Sequence, residues 1–240
     1  MPDGFKRIHD DLVGCTRCPH LRQYCERMAR VRRRAYRDQS YWGKPVPGFG
    51  DSQARLLIIG LAPAAHGGNR TGRIFTGDRS GDFLFSALHR AGFANQPESR
   101  DRGDGLELKD AYITAVLHCA PPGNKPARIE LDRCRDYLVR ELRLLTRVEA
   151  VLALGKIALD EYLRTLIQIG WITHRRSIRF RHGARFRLFE SDSAQRPVLF
   201  ASYHPSQQNT RTGRLTARML DQVLCEIRQA LPSTESLNVR

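Results

Sequence analysis

The chain has 240 residues, 41% of them hydrophobic, and carries a formal net charge of +15 with a pI near 10.3. That length buries a real core in one large domain or two small ones. No apolar run reaches the roughly 18 residues of a membrane span. The opening segment Met1–Leu12 lacks the apolar stretch of a secretion signal, so a cytoplasmic, nucleoid-associated protein is expected. Forty basic residues face 25 acidic ones. An enzyme of small acids has no need of that excess. A polyanion such as nucleic acid does, because neutralising phosphates releases counterions and drives binding.

In chain order, residues 1 to 50 read as an arm. It carries Cys15-Thr16-Arg17-Cys18, a basic segment at 22 to 37, and a Pro/Gly-rich exit at Lys44–Gly48. The arginine run at 30 to 34 is of a kind more often solvated than functional, so none of its arginines is assigned a role. Strand-like apolar runs then fall at Arg55–Ile59, Tyr112–Leu117, Ala150–Leu154 and Val198–Ser202. Helical patterns fill Gly81–Ala91, Ile129–Leu145, Ile157–Ile169 and Leu215–Leu231. Continuous apolar strands between helices predict a parallel sheet covered on both faces. Residues 176 to 190 alternate apolar and basic side chains around His182-Gly183-Ala184, the pattern of a hairpin. The tail, 232 to 240, reads as flexible. One domain spanning residues 1 to 240 is the simplest account.

The first apolar strand stops at Gly60 and leads into a long loop of glycine, alanine and polar residues, before a helix near Ser80. Ligand pockets in α/β proteins lie beyond the carboxyl ends of strands, which places a pocket here. A second stretch, Tyr203-His204-Pro205-Ser206, follows the last apolar run in the same way.

Of six cysteines, Cys15 and Cys18 form a two-residue-gap pair, a spacing that turns both thiolates toward one metal. Cys119, at a strand end, and Cys134, one turn into the next helix, form a wider second pair. Zinc and iron–sulfur both remain open from spacing. Sulfurs gathered from a loop, a strand end and a helix suit a [4Fe-4S] cluster better than a zinc ribbon. Cys25 is the main rival ligand. Cys25 and Cys225 otherwise sit in helical patterns as core residues.

These motifs together resemble family 5 of the uracil-DNA glycosylase superfamily, the iron–sulfur glycosylases. The matching residues are Gly60-Leu61-Ala62-Pro63-Ala64-Ala65-His66-Gly67, Asn69–Arg73, Phe75–Asp78, Pro121–Pro126, and His204-Pro205-Ser206 with Asn209 and Arg211–Arg214. Each motif is weak alone, but the ordered set covers most of the chain. The resemblance implies a three-layer α/β/α sandwich around a four-stranded parallel sheet. It also implies a structural [4Fe-4S] cluster on Cys15, Cys18, Cys119 and Cys134.

Excising a base requires taking it out of the stack. Negative charge then grows on the leaving base and positive charge on the sugar. The site needs an aromatic face, donors for the base oxygens and a placed water. Phe75 is the aromatic candidate. Asn124 carries an amide that both donates and accepts, as reading a pyrimidine edge demands. Superfamily resemblance assigns His204 to the base O2. The carboxylate or amide that relatives place after the first-motif proline is missing, replaced by Ala64 and Ala65. That moves the activating role to Asp78, although Asp78 also reads as a helix cap. Two alanines where uracil-specific relatives hold a bulky aromatic predict a wider pocket. Uracil, 5-substituted uracils such as 5-hydroxymethyluracil, hypoxanthine and xanthine are then candidate bases.

Arg70, Arg73, Ser206, Asn209, Arg211, Arg214 and Leu215 are expected on DNA, with Leu215 or Arg214 as the side chain wedged into the duplex. His66, His118 and His182 are left without a role. No lysine is expected to serve a lyase reaction. The resulting expectation is a monomeric DNA-repair hydrolase acting on double- or single-stranded DNA. The alternative is a non-catalytic iron–sulfur protein that binds damaged DNA.

Overall fold

The four apolar runs form the centre of one sheet. A computed structural model describes residues 2–175, 178–188 and 197–231. Strands β1 (Phe49–Gly50), β2 (Leu56–Gly60), β3 (Ala111–Ala115), β4 (Ala150–Leu154), β5 (Ala184–Arg187) and β6 (Val198–Ser202) stand in the order β1-β3-β2-β4-β6-β5. The pairs β3–β2, β2–β4 and β4–β6 are parallel. Antiparallel β1 and β5 flank them, one at each edge. The expected four-stranded parallel core is therefore present inside a six-stranded mixed sheet. β1 and β5 are too short to leave a clear apolar run in the sequence.

Helices α1 (Asp3–Val13), α2 (Pro19–Val31), α3 (Gly68–Thr71), α4 (Arg79–Arg90), α5 (Arg128–Leu144), α6 (Lys156–Gln168), α7 (Gln207–Arg211) and α8 (Ala217–Ala230) complete the chain. Alternation along β2 assigns the layers. Leu56 and Ile58 pack with Leu84, Phe85 and Leu88 of α4 and Leu220, Val223 and Leu224 of α8. Leu57 and Ile59 pack on the other face with Leu138 and Leu142 of α5 and Leu159 and Leu163 of α6. Every residue of β2, β3 and β4 is buried, as a parallel sheet covered on both faces requires. The residues read as an arm fold as α1 and α2 against this core; Phe5, Leu21 and Cys25 belong to it. Among the described residues no helix is long and apolar enough to cross a membrane.

Among the described residues of 176–190, no hairpin forms around His182-Gly183-Ala184. β5 pairs with β6, Ala184 opposite Ala201 and Arg187 opposite Val198. The alternating side chains thus mark one edge strand whose partner lies further along the chain. Residues 176, 177 and 189–196 lie outside the described residues, as does the tail from 232.

Candidate active site

Counted along the chain, the parallel strands lie in the order second, first, third, fourth. The direction of winding reverses between β2 and β4, and ligands bind at the carboxyl ends of strands beside such a switch. A cleft of about 1000 Å³ opens there, at the top of the usual range of roughly 300–1000 Å³ for small-molecule sites. Its walls come from the loops after β2, β3 and β6, and from the segment after α2.

Phe75 lies on this wall with a backbone φ of +52°, a region bulky residues enter only when their surroundings impose it. Two glycines allow it. A β-carbon on Gly60 would stand 2.7 Å from Phe75 Cε2, and one on Gly81 1.9 Å from the Phe75 carbonyl oxygen. The Phe75 ring centroid is 5.6 Å from that of His204, tilted by 31°. His204 follows β6, and its carbonyl accepts a 2.8 Å hydrogen bond from Asn209 Nδ2. Burial lowers the His204 pKa to about 4, so its imidazole is neutral at physiological pH. Neither ring nitrogen has a hydrogen-bond partner among the described residues, and neither is sealed from the cleft.

Asn124 ends the Pro122–Asn124 turn, where Gly123 and Asn124 both have positive φ, +60° and +57°. This turn holds the amide exposed on the cleft wall, with no internal side-chain partner among the described residues. Asp78 caps α4. Its Oδ1 accepts from the backbone of Ser80 at 2.9 Å and Gly81 at 3.0 Å. Its Oδ2 lies where a β-carbon on Gly67 would come within 2.0 Å, so Gly67 makes room for the second oxygen. Burial raises the Asp78 pKa, opposed in part by those two amides and by Arg70. Cap and cleft residue are thus the same carboxylate. Ala64 and Ala65 complete this wall.

The comparisons decide the family. A sequence model of the Uracil DNA glycosylase superfamily matches residues 47–228. A Type-5 uracil-DNA glycosylase of Mycobacterium leprae is 49% identical over 92% of this chain and 93% of its own length. One of Thermus thermophilus is 48% identical over 91% and 94%. A Type-4 uracil-DNA glycosylase of Pyrobaculum aerophilum is 31% identical over 64% and 62%. The chain belongs to the uracil-DNA glycosylase superfamily.

In this member of the superfamily several residues expected on DNA serve the fold instead. Arg70 is buried: Nε donates to the His66 carbonyl at 2.8 Å, Nη2 to the Gly77 carbonyl at 2.6 Å, and Nη1 to Gln39. Arg73 is buried in an ion pair with Asp104 at 2.6 Å and bonds Thr76 and Ser99. Both guanidiniums are consumed internally, which corrects the expectation that they hold phosphates. Leu215 is fully buried in the α4/α8 core and cannot act as a wedge in this placement. Arg214 stays exposed, 4.6 Å from the Tyr203 ring centroid. Ser206 caps α7 by accepting from the Asn209 amide, and Asn209 holds His204; both act on the site through its backbone. Arg211 lies on the cleft wall.

The cleft also includes residues outside the candidate set. His66 lies in the cleft, its Nδ1 3.1 Å from the Tyr41 hydroxyl. Tyr24, Arg33 and Tyr36 come from the arm. No motif spacing links them to the loop after β2. Lys125 is exposed on the wall.

A second cavity is lined by Cys15, Cys18, Cys119 and Cys134 together with Leu12, Leu21, Tyr137 and the arginines 17, 22 and 133. Arg17 and Arg133 donate to each other's carbonyls at 3.2 and 3.1 Å, strapping the Cys15–Cys18 loop to α5. Cys25 is buried beside Ala120 and does not line this cavity. Four soft donors in an apolar setting, with cations nearby, suit an anionic thiolate-bound cluster. Among the described residues, however, no three His, Cys, Asp or Glu side chains form a group that would hold a metal ion.

Proposed function

We infer that this chain is a DNA-repair glycosylase that hydrolyses the N-glycosidic bond of uracil in DNA. The observation carrying this reading is the convergence of Phe75, Asn124, Asp78 and His204 on one cleft, in a chain 49% identical to a named uracil-DNA glycosylase over most of both lengths. The flipped base stacks on Phe75, and the Asn124 amide pairs with its edge. As the bond from the sugar to the base breaks, its electrons pass to the base. His204, held neutral, donates an N–H hydrogen bond to the growing anion without surrendering a full charge. The Asp78 carboxylate stabilises the sugar cation or orients the water that adds to it. Free base and an abasic site remain.

The small Ala64 and Ala65 leave the wall beside the base open, so 5-substituted uracils, hypoxanthine and xanthine enter as well as uracil. Cys15, Cys18, Cys119 and Cys134 would hold a [4Fe-4S] cluster that ties the arm to β3 and α5. Its contribution is structural, and the hydrolysis itself transfers no electron. Arg211, Arg214 and Lys125 supply the DNA-facing charge, and the protein acts as a monomer.

Single-turnover excision, followed by alkali, tests the reading. Strand breaks are expected at uracil and at the modified bases. Binding without breaks would identify a non-catalytic protein, and excision confined to uracil would refute the open wall. Borohydride should trap no covalent complex; trapping through Lys125 would make the enzyme a lyase. Serine at Cys15, Cys18, Cys119 or Cys134 should abolish visible cluster absorbance, while serine at Cys25 keeps it. The reverse pattern would reassign the ligands.

A further inference from the structure

The cleft has a stretch of wall that hydrolysis does not use. Tyr24 of α2 lines it, together with Arg33, Ala35 and Tyr36 of the turn that follows that helix. Residues 30–38 hold five arginines and one acid, Asp38. Among the described residues none of these five has a carboxylate in salt-bridge range; the nearest arginine that does, Arg22, pairs with Glu26. Unpaired positive charge around an aromatic ring on a cleft wall matches how single strands are gripped, by phosphate contact and base stacking.

The turn is also firmly positioned. The Arg70 guanidinium carbon sits 4.1 Å from the Tyr36 ring centroid, covering one face. The same guanidinium bonds Gln39 of the arm, and the His66 and Gly77 carbonyls of the pocket loop. Trp42 N and Gly43 N donate to the Arg70 and Asn69 carbonyls at 2.8 and 3.0 Å. The Tyr41 hydroxyl, bonded to His66, accepts from the Arg33 amide at 3.3 Å. One buried arginine thus clasps the arm to the loop that ends in Asp78.

We propose that Tyr36 and Arg33 form a neighbour subsite: Tyr36 stacks the nucleobase adjacent to the flipped one, and Arg33 holds a phosphate of the same strand. The proposal rests on the glycosylase reading above. It makes the enzyme sensitive to a base it does not excise.

The test uses the full-length protein and single-stranded uracil oligonucleotides in which the nucleotide on either side of uracil is replaced by an abasic analogue. For the wild type, removing the stacked neighbour should raise KM about tenfold, within the range of base–aromatic stacking. Removing the neighbour on the other side should change little. Tyr36→Ala should erase the difference between the substrates, and Tyr36→Trp should restore it. Arg33→Ala should lower the slope of log affinity against log salt by about one phosphate contact. A wild type indifferent to both neighbours overturns the subsite even if Tyr36→Ala fails to fold, and so does an unchanged salt slope for Arg33→Ala. A wild type that excises no uracil at all overturns the glycosylase reading instead.

Discussion

His204 and Asp78 respond in opposite directions to the same burial. Burial lowers the histidine pKa to about 4, leaving a neutral donor, and raises the aspartate pKa from its ordinary value. His204→Ala should lower single-turnover excision by roughly 10²–10³-fold, the loss expected for one preorganised donor at a developing anion. Asp78 must be ionised to act, so the wild-type rate should fall as pH drops into its raised pKa. Asp78→Asn should lower the rate and remove that acid limb from the pH profile; near-wild-type excision would end its role. Another buried acid lies away from the cleft. Glu141 accepts from Thr114 at 2.6 Å and Tyr112 at 3.2 Å, and burial raises its pKa to about 7. Between its unfolded value and about 7 the folded state holds the extra proton, so this group's contribution to stability falls as pH rises. Glu141→Gln should therefore be more stable than wild type above pH 7, by on the order of 3 kcal/mol. Urea midpoints across pH measure this.

At the scale of elements, the site depends on chain ends that aim side chains. Short α7 contributes Asn209, whose amide fixes the His204 carbonyl, with Ser206 capping the turn between them. Asn209→Ala should lower excision about tenfold, near the worth of one hydrogen bond, and change KM little. A steady-state kinetic comparison checks that split. The pocket loop depends on Gly81, at the start of α4. Alanine there would collide with the Phe75 carbonyl oxygen. Gly81→Ala should displace Phe75, abolish excision and destabilise the fold by roughly 1–3 kcal/mol, seen as loss of activity with a lowered urea midpoint. The strands and long helices behind these loops were legible because the strands are continuous apolar runs and the helices bury apolar residues at helical spacing. β1 and α7 were not, because two to five residues carry too little periodicity, and β5 was legible as strand but not its pairing with β6. The helical arm was hidden by its charge, since only one narrow stripe of α2, Leu21 and Cys25, is buried.

Over the whole molecule, the ordered motifs and the excess of arginine already named a polyanion, a base and a family. Phe75, Asn124, Asp78 and His204 were candidates from sequence through the family resemblance and their side-chain chemistry, and the structure brings all four onto one cleft wall, on segments that follow parallel strands. Of the two cysteines expected in the core, Cys25 is buried but Cys225 is exposed. What sequence could not distribute was the arginines. Arg70, Arg73 and Arg211 carry the same charge and sit in similar motifs, yet two are buried and paired while the third faces the cleft. Leu215 presents the same problem, since its burial is settled by packing against α4 and α8. The sequence by itself determined the chemistry available at the site, because chemistry belongs to side chains and their local spacing. Only the tertiary structure decided which charges face the cleft and which clasp the arm to the pocket, because burial and pairing depend on segments distant along the chain.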